Sequence, residues 1–130
     1  VTLDHNGTVA TIANGAGLAM ATVDAVTARG VQPANFLDIG GTATPEKILA
    51  SFEQIARFPA VALIIINIFG GIVRCDDVAA AIISAKQQLP ALPPLAVRLT
   101  GNREAEAKAL LAREHIPLYD NLSRILEEAV

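Results

Sequence analysis

Apolar and polar positions alternate between two patterns along this chain, and the switch between them predicts its elements. Thr8 to Ala13 (TVATIA) is rich in β-branched residues, whereas Ala16 to Arg29 places Leu18, Ala21, Val23 and Val26 at roughly helical spacing and stops at Gly30. Asn35 to Ile39 (NFLDI) reads as a second strand ending in Gly40-Gly41; Thr44 is a cap candidate and Pro45 a first-position proline for a helix to about Phe58. The third unit begins with an unbroken apolar run, Val61 to Ile66 (VALIII), and a helix spans about Arg74 to Gln88. Leu95 to Leu99 (LAVRL) precedes the helical stretch REAEAKALLARE, and Ile116 to Tyr119 leads through Asp120-Asn121 into LSRILEEA. One repeat type, strand then helix, recurs through the whole sequence.

A strand apolar on both faces must be covered on both sides, as in the centre of a parallel sheet with helices above and below. Right-handed crossovers between five such strands predict a flavodoxin-like α/β three-layer sandwich, with a five-stranded parallel sheet in the order 2-1-3-4-5. Before it, His5-Asn6-Gly7 separates Val1–Asp4 from Thr8–Ala10, which predicts a short N-terminal antiparallel hairpin. Pro90-Ala91-Leu92-Pro93-Pro94 is a stiff connector rather than a boundary, so residues 1–130 are expected to form a single domain.

That strand order opens a crevice between the carboxyl ends of strands 1 and 3. The glycine motifs fall there: Asn14-Gly15-Ala16-Gly17 after strand 1, and Asn67 to Asp77 (NIFGGIVRCDD) after the apolar run. Glycines let backbone N–H groups approach a ligand, and each turn feeds a helix whose first amides lack internal partners and sit at the positive end of the macrodipole. Two such ends would hold a phosphate or carboxylate, with the Asn14 amide and the Arg74 guanidinium as additional donors. On turn chemistry alone, a purely structural role for the glycines stays open.

Composition narrows the function classes. The chain has 130 residues and a net charge of −3, without a lysine/arginine run, so it lacks the basic footprint of nucleic-acid binding. Hydrophobic residues make up 52%, yet no apolar run is long enough to span a bilayer, so the surplus is expected to cover a subunit or domain interface. A single cysteine forms no internal disulfide and points to a reducing compartment, and since Val1 begins within a strand-like pattern the chain is expected to be cut from a longer one.

Several segments taken together are specific. NGAGLAMATVD, PANFLDIGG, NIFGGIVRCD and VRLTGN resemble the carboxy-terminal ligase domain of the β subunit of succinyl-CoA synthetase (succinate-CoA ligase), and the resemblance spans essentially the whole chain. It implies a C-terminal fragment of a longer β subunit whose ATP-grasp domain precedes it, and an α-subunit partner that binds CoA and carries the phosphorylated histidine. The implied reaction converts succinate, CoA and a nucleoside triphosphate, ATP or GTP with Mg, to succinyl-CoA, the diphosphate and phosphate. None of these cofactors is expected on this domain alone, and no catalytic side chain either. The resemblance further implies that Asn14 and the backbone of Gly71, Ile72 and Val73 contact the dicarboxylate. The helix amino end at Gly70, Gly71 and Arg74 is implied to face the partner's phosphohistidine. It places the enzyme in the tricarboxylic acid cycle, in bacterial cytoplasm or the mitochondrial matrix. Two departures, a Gly-Gly-Thr-Ala at 40–43 where a third glycine is common and Thr100 where an acidic residue is common, bear on the choice of acid. Malate-CoA and citryl-CoA ligase domains are similar in the same segments, and a non-catalytic anion-binding and subunit-interface module is the rival reading from another class.

Other candidates have plainer readings. His5 falls in the hairpin turn and His115 at a helix end, neither beside the glycine loops. Cys75 is expected to act as a small buried hydrophobe. Asp76 and Asp77 suit a helix's first turn, and adjacent helical residues do not face one way as metal ligands must. Asp38 imitates the ribose-binding acid of a dinucleotide fingerprint, but Met20 stands where its third glycine belongs. Ile68-Phe69 replaces the aspartate a phospho-receiver needs, and without tryptophan a flavin has poor stacking support.

Overall fold

The computed structural model describes residues 1–40, 43–70 and 74–130, with 71–73 described only as part of the strand that runs through them. Its element order is β1 (Val9–Ala13), α1 (Ala16–Ala28), α2 (Pro45–Ile55), β2 (Leu63–Arg74), α3 (Cys75–Gln88), β3 (Leu95–Asn102), α4 (Glu104–Arg113) and α5 (Leu122–Glu128). The strands form a parallel sheet in the order β1-β2-β3. Register is set by pairs such as Ile12↔Ile66 and Ile66↔Val97.

Side-chain alternation divides the core into two layers. Ala10, Ile12, Ile64, Ile66, Ile68, Val97 and Leu99 point toward Ile48 and Phe52 of α2, Ile82 of α3 and Leu111 of α4. Val9, Leu63, Ile65 and Ala96 point the other way, toward Val26 of α1 and Ile125 of α5. Because both faces are covered, β2 is apolar without alternation from Leu63 to Ile66, as expected of a central parallel strand. Phe52 is fully buried in the larger layer, where truncation to alanine typically costs about 3–5 kcal/mol.

The helix signals act where the sequence places them. Thr44 accepts a bond from the Lys47 N–H at 3.2 Å with Pro45 opening α2, and Asn121 accepts from the Arg124 N–H at 2.9 Å to open α5. Gly30 adopts φ 83°, a left-handed conformation that ends α1.

The structure contains three strands among the described residues, not the five expected. Two flanking segments meet the sheet through isolated parallel bridges only: Val9↔Pro33 and Ala13↔Asp38 outside β1, and Val97↔Leu118 outside β3. Proline explains the edge beside β3, since Pro117, whose carbonyl accepts from the Val97 N–H, has no N–H of its own to extend the ladder. At the first edge the Asn35 side chain substitutes for backbone: its Oδ1 accepts from the Thr11 N–H at 2.8 Å, and its Nδ2 donates to the Thr11 carbonyl at 3.2 Å.

The N-terminal hairpin is also corrected. Asp4 and Gly7 do close a turn, with the Gly7 N–H on the Asp4 carbonyl at 2.9 Å, but the two arms do not pair with each other. Residues 32–36 lie between them: Leu3 N–H and Phe36 N–H bond across to Ala34 and Val1 on one side, and Ala34 N–H bonds to the Val9 carbonyl on the other. A Cβ on Gly7 would stand 2.5 Å from the Ala34 Cα, so this close passage requires glycine.

Candidate functional site

The chain leaves β1 through α1 toward the segment bridged at the far edge, and leaves β2 through α3 toward β3 on the opposite side. The carboxyl ends of β1 and β2 therefore adjoin where the connections diverge, a position at which open α/β sheets have their crevice. Asn14 joins these ends. Its Oδ1 accepts from the Phe69 N–H at 3.0 Å and its Nδ2 donates to the Phe69 carbonyl at 3.0 Å. A carboxamide is a peptide group in miniature, so Asn14 extends the β1–β2 ladder after its last backbone pair, Ala13↔Asn67, and ties the two glycine motifs together across 55 residues.

The β2 side of the site differs from the tight turn expected at the glycine pair. The strand continues to Arg74, with its register against β3 shifting between Phe69↔Thr100 and Arg74↔Asn102. Irregularities of this kind re-aim a strand end near a functional site. Of the residues expected to contact the dicarboxylate, Asn14 stands in the clamp described, while the contacts of Gly71, Ile72 and Val73 lie outside the described residues. Arg74 is the N-cap of α3, which has no side-chain cap bond, and its guanidinium turns back to Asp76 at 3.1 Å and Asp77 at 3.6 Å. The hydrogen bond and charge of Asp76, then the charge of Asp77, hold Arg74 above the usual arginine range. This exposed network is a weak one, so the guanidinium can exchange its partners for another anion at small cost.

The β1 side has an acid the sequence reading treated as a decoy. Asp38 Oδ1 accepts from the Gly15 N–H at 2.6 Å and from the Gly40 N–H at 2.8 Å, so it latches two loops rather than presenting itself to a ribose. Bonds from Gly40 and Gly15, followed by the charge of Lys47, hold its carboxyl below the ordinary 3.8. A depressed pKa stabilises the fold above the unfolded-state value, and this contribution disappears as pH falls through the folded value. An Asp38→Asn variant is therefore expected to melt below the parent at pH 7, with the difference closing as both are titrated below about 3.9. Thermal melts of the pair between pH 7 and 2.5 check this, and a gap that persists at the acidic end would refute the latch.

α1 itself begins without a side-chain cap. Cβ atoms added at Gly15 or Gly17 meet nothing within 4 Å, so the surface above this helix end is open. Gly15 also adopts φ 105°, which a side chain rarely tolerates.

The remaining candidates lie elsewhere or are inert. His5 is in the opening turn, its ring 6.1 Å from that of Phe58, and His115 adjoins Pro94 and Leu95 at the amino end of β3, at the opposite end of the sheet from Asn14. Cys75 is fully buried, and burial raises its thiol pKa, followed by the charges of Glu104 and Asp76. Among the described residues no three His, Cys, Asp or Glu side chains gather as a metal-ligand set, and no helix is long and apolar enough to cross a membrane.

Residues 12–129 match the family model described as CoA-ligase. The chain belongs to the CoA-ligase family. It is similar to the β subunit of ADP-forming succinate-CoA ligase from Albidiferax ferrireducens, with 43% identity over 96% of this chain and 33% of that protein. The corresponding subunit from Rhizorhabdus wittichii is 49% identical over 87% of this chain and 28% of its own length. The chain thus spans about a third of the curated relatives it matches. Among solved structures it resembles ATP citrate lyase from Methanothrix soehngenii in complex with citrate and coenzyme A, with a TM-score of 0.76 at 18% identity, covering 99% of this chain and 40% of that one. It also resembles the dinucleotide forming acetyl-coenzyme A synthetase 1 of Ca. Korarchaeum cryptofilum, with a TM-score of 0.74 at 20% identity over 92% of this chain and 31% of that one. These two show a shared fold.

One part of this CoA-ligase domain escaped the sequence reading. Asn67, Phe69 and Arg98 project from the sheet toward the α1 layer. Arg98 Nη1 donates to Asn67 Oδ1 at 3.0 Å, Asn67 Nδ2 donates to Thr22 Oγ1 at 3.1 Å, and Thr22 Oγ1 donates to the Leu18 carbonyl at 2.7 Å. The Arg98 guanidinium carbon stands 4.7 Å from the centre of the Phe69 ring. A signal was present: Asn67 and Arg98 are the polar interruptions of two apolar strands, and they are register partners. No spacing rule announces a pair separated by a helix.

Proposed function

We propose that this domain supplies part of a composite active site in a succinate-CoA ligase, where it binds the dicarboxylate and presents helix amino ends to a phosphohistidine carried by an α subunit. The observation that carries the reading is the Asn14–Phe69 clamp, which holds both glycine motifs at the divergence of the sheet connections. The matched family and the succinate-CoA ligase relatives support the chemistry. Asn14 and the Gly71, Ile72 and Val73 amides hold the acid, while Gly70, Gly71 and Arg74 form the charged end of α3. As the phosphoryl group passes between acid and imidazole, such preorganised donors stabilise the developing negative charge without titrating.

In this reading the domain is one portion of a longer β chain, and the flanking segments complete a five-stranded order 2-1-3-4-5 around the three regular strands. An ATP-grasp domain uses ATP or GTP with Mg, and the companion subunit holds CoA. The described residues do not assemble a metal-ligand set, and no step proposed for this domain uses a metal. The parent enzyme works in bacterial cytoplasm or in the mitochondrial matrix. Mixing the full-length parent with its companion subunit and assaying acyl-CoA formation with succinate, malate and citrate is expected to favour succinate. Ligase turnover by residues 1–130 alone would overturn the composite-site reading. No acyl-CoA formation from any of the three acids would overturn the ligase reading itself.

Gly17 offers a finer test of the open helix end. It is the second residue of α1, with helical backbone and free space for a methyl group, so alanine is favoured there by less than the roughly 0.5–1 kcal/mol of a helix interior. Gly17→Ala is expected to raise the melting temperature of the domain, yet lower turnover of the complete enzyme about tenfold because the methyl group blocks close approach of the partner or substrate. Calorimetry and steady-state kinetics together check this, and a variant gaining stability with unchanged turnover would refute the close approach.

A further inference from the structure

Phe69 immediately precedes the glycine pair, and three contacts converge on it. Asn14 takes both its backbone N–H and its carbonyl, and its ring, although 52% exposed, is stacked by the Arg98 guanidinium at 4.7 Å. Arg98 is in turn anchored through Asn67 and Thr22 to the first turn of α1. A single chain of contacts thus runs from α1, through β3, to the last residue before the proposed anion-binding backbone.

Arg98 is costly as mere packing. None of the salt bridges among the described residues includes it, and its Nε is shielded from solvent without a hydrogen-bond partner. A guanidinium nitrogen shielded in this way carries a desolvation cost that packing alone does not offset. The guanidinium does two things an apolar side chain cannot: it donates to the buried Asn67 Oδ1, and it is attracted to the face of the Phe69 ring.

We propose that Arg98 is a positioning residue: by stacking on Phe69 while tied to Asn67, it holds the strand end at Gly70-Gly71 in register for anion binding. The proposal rests on the ligase reading above. It predicts that the acid contacts Asn14 and the glycine backbone while Arg98 acts one layer away, through the Phe69 ring.

The test uses the complete enzyme with its companion subunit, in Arg98→Met, Arg98→Lys, Phe69→Leu and the Arg98→Met/Phe69→Leu double variant. Arg98→Met is expected to lower kcat about tenfold, with KM for the acid changed less than threefold and the melting temperature modestly lowered, because Asn67 Oδ1 loses its donor. Arg98→Lys should recover part of the loss, since it keeps the charge over the ring. The double variant should be no slower than the worse single one, because both changes break the same contact. Unchanged kcat in Arg98→Met, losses that multiply in the double variant, or a loss that disappears when parent and variant are assayed well below both melting temperatures would each overturn the proposal. An inactive parent with all acids would instead remove the ligase reading, and this inference with it.

Discussion

Asn14→Asp is expected to lower kcat of the complete enzyme about a hundredfold, a loss far larger than its lowering of the unfolding temperature accounts for. The native carboxamide must both donate and accept, since its Nδ2 meets the Phe69 carbonyl and its Oδ1 meets the Phe69 N–H. An ionised aspartate only accepts, so one of its oxygens would face the Phe69 carbonyl oxygen and push the two loop ends apart. The same substitution sets a negative charge beside the position proposed for the carboxylate of the substrate, where like charges repel. Losing one preorganised donor of this kind commonly costs 10²–10³ in rate. Rapid-quench measurement of acyl-CoA formation, paired with thermal melts, separates loss of chemistry from loss of fold. Turnover that stays within threefold of the parent would exclude Asn14 from the site.

Gly71→Pro is the second substitution with a large expected effect. Proline removes the backbone N–H and fixes φ near −65°, so it deletes a proposed anion donor and constrains the chain next to it. We expect kcat to fall about a hundredfold or more, while Gly71→Ala, which keeps the N–H, loses much less. Single-turnover phosphoryl transfer between the phosphorylated companion subunit and succinate is the measurement closest to the step. Equal rates for the proline variant and the parent would count decisively against the Gly71 amide. Asn14→Asp and Gly71→Pro act on opposite sides of the crevice, so together they test whether both glycine motifs serve one anion.

Much of the architecture was legible because it follows from local rules. The apolar run through Ile66 announces a strand covered on both sides, and the structure places β2 at the centre of the sheet. Thr44-Pro45, Asn121 and Gly30 mark helix limits through bonds that involve only their own neighbours, so the sequence alone suffices to find them. The two glycine motifs could be assigned to one crevice because right-handed crossovers leave few ways to order the strands. The CoA-ligase family could be named from contiguous segments for a similar reason, since its motifs are local strings of residues.

Edge behaviour was not legible. Whether Pro117 permits a full ladder, or the Asn35 side chain replaces one, depends on which neighbour lies across, and the N-terminal hairpin failed because residues 32–36 compete for the same backbone groups as its own arms. Spacing excluded Asp38 as a cofactor acid but does not reveal which amides a carboxylate will meet, and here they belong to Gly15 and Gly40. Arg74 is a comparable case, since its charge suits an anion while its nearest partners are carboxylates of its own helix.

By itself the sequence determined the alternation of strands and helices, the two-sided burial of the central strand, the glycine motifs at the carboxyl ends of two adjoining strands and the family. Periodicity, caps and motifs are written in neighbouring residues, so each can be read without knowing where the chain returns. Only the tertiary structure decided that Asn14 bonds to Phe69, that Asp38 latches two loops, and that Arg98 lies over Phe69 while held by Asn67. These contacts join residues far apart in the chain, and their geometry is set by the packing of helices on both faces of the sheet.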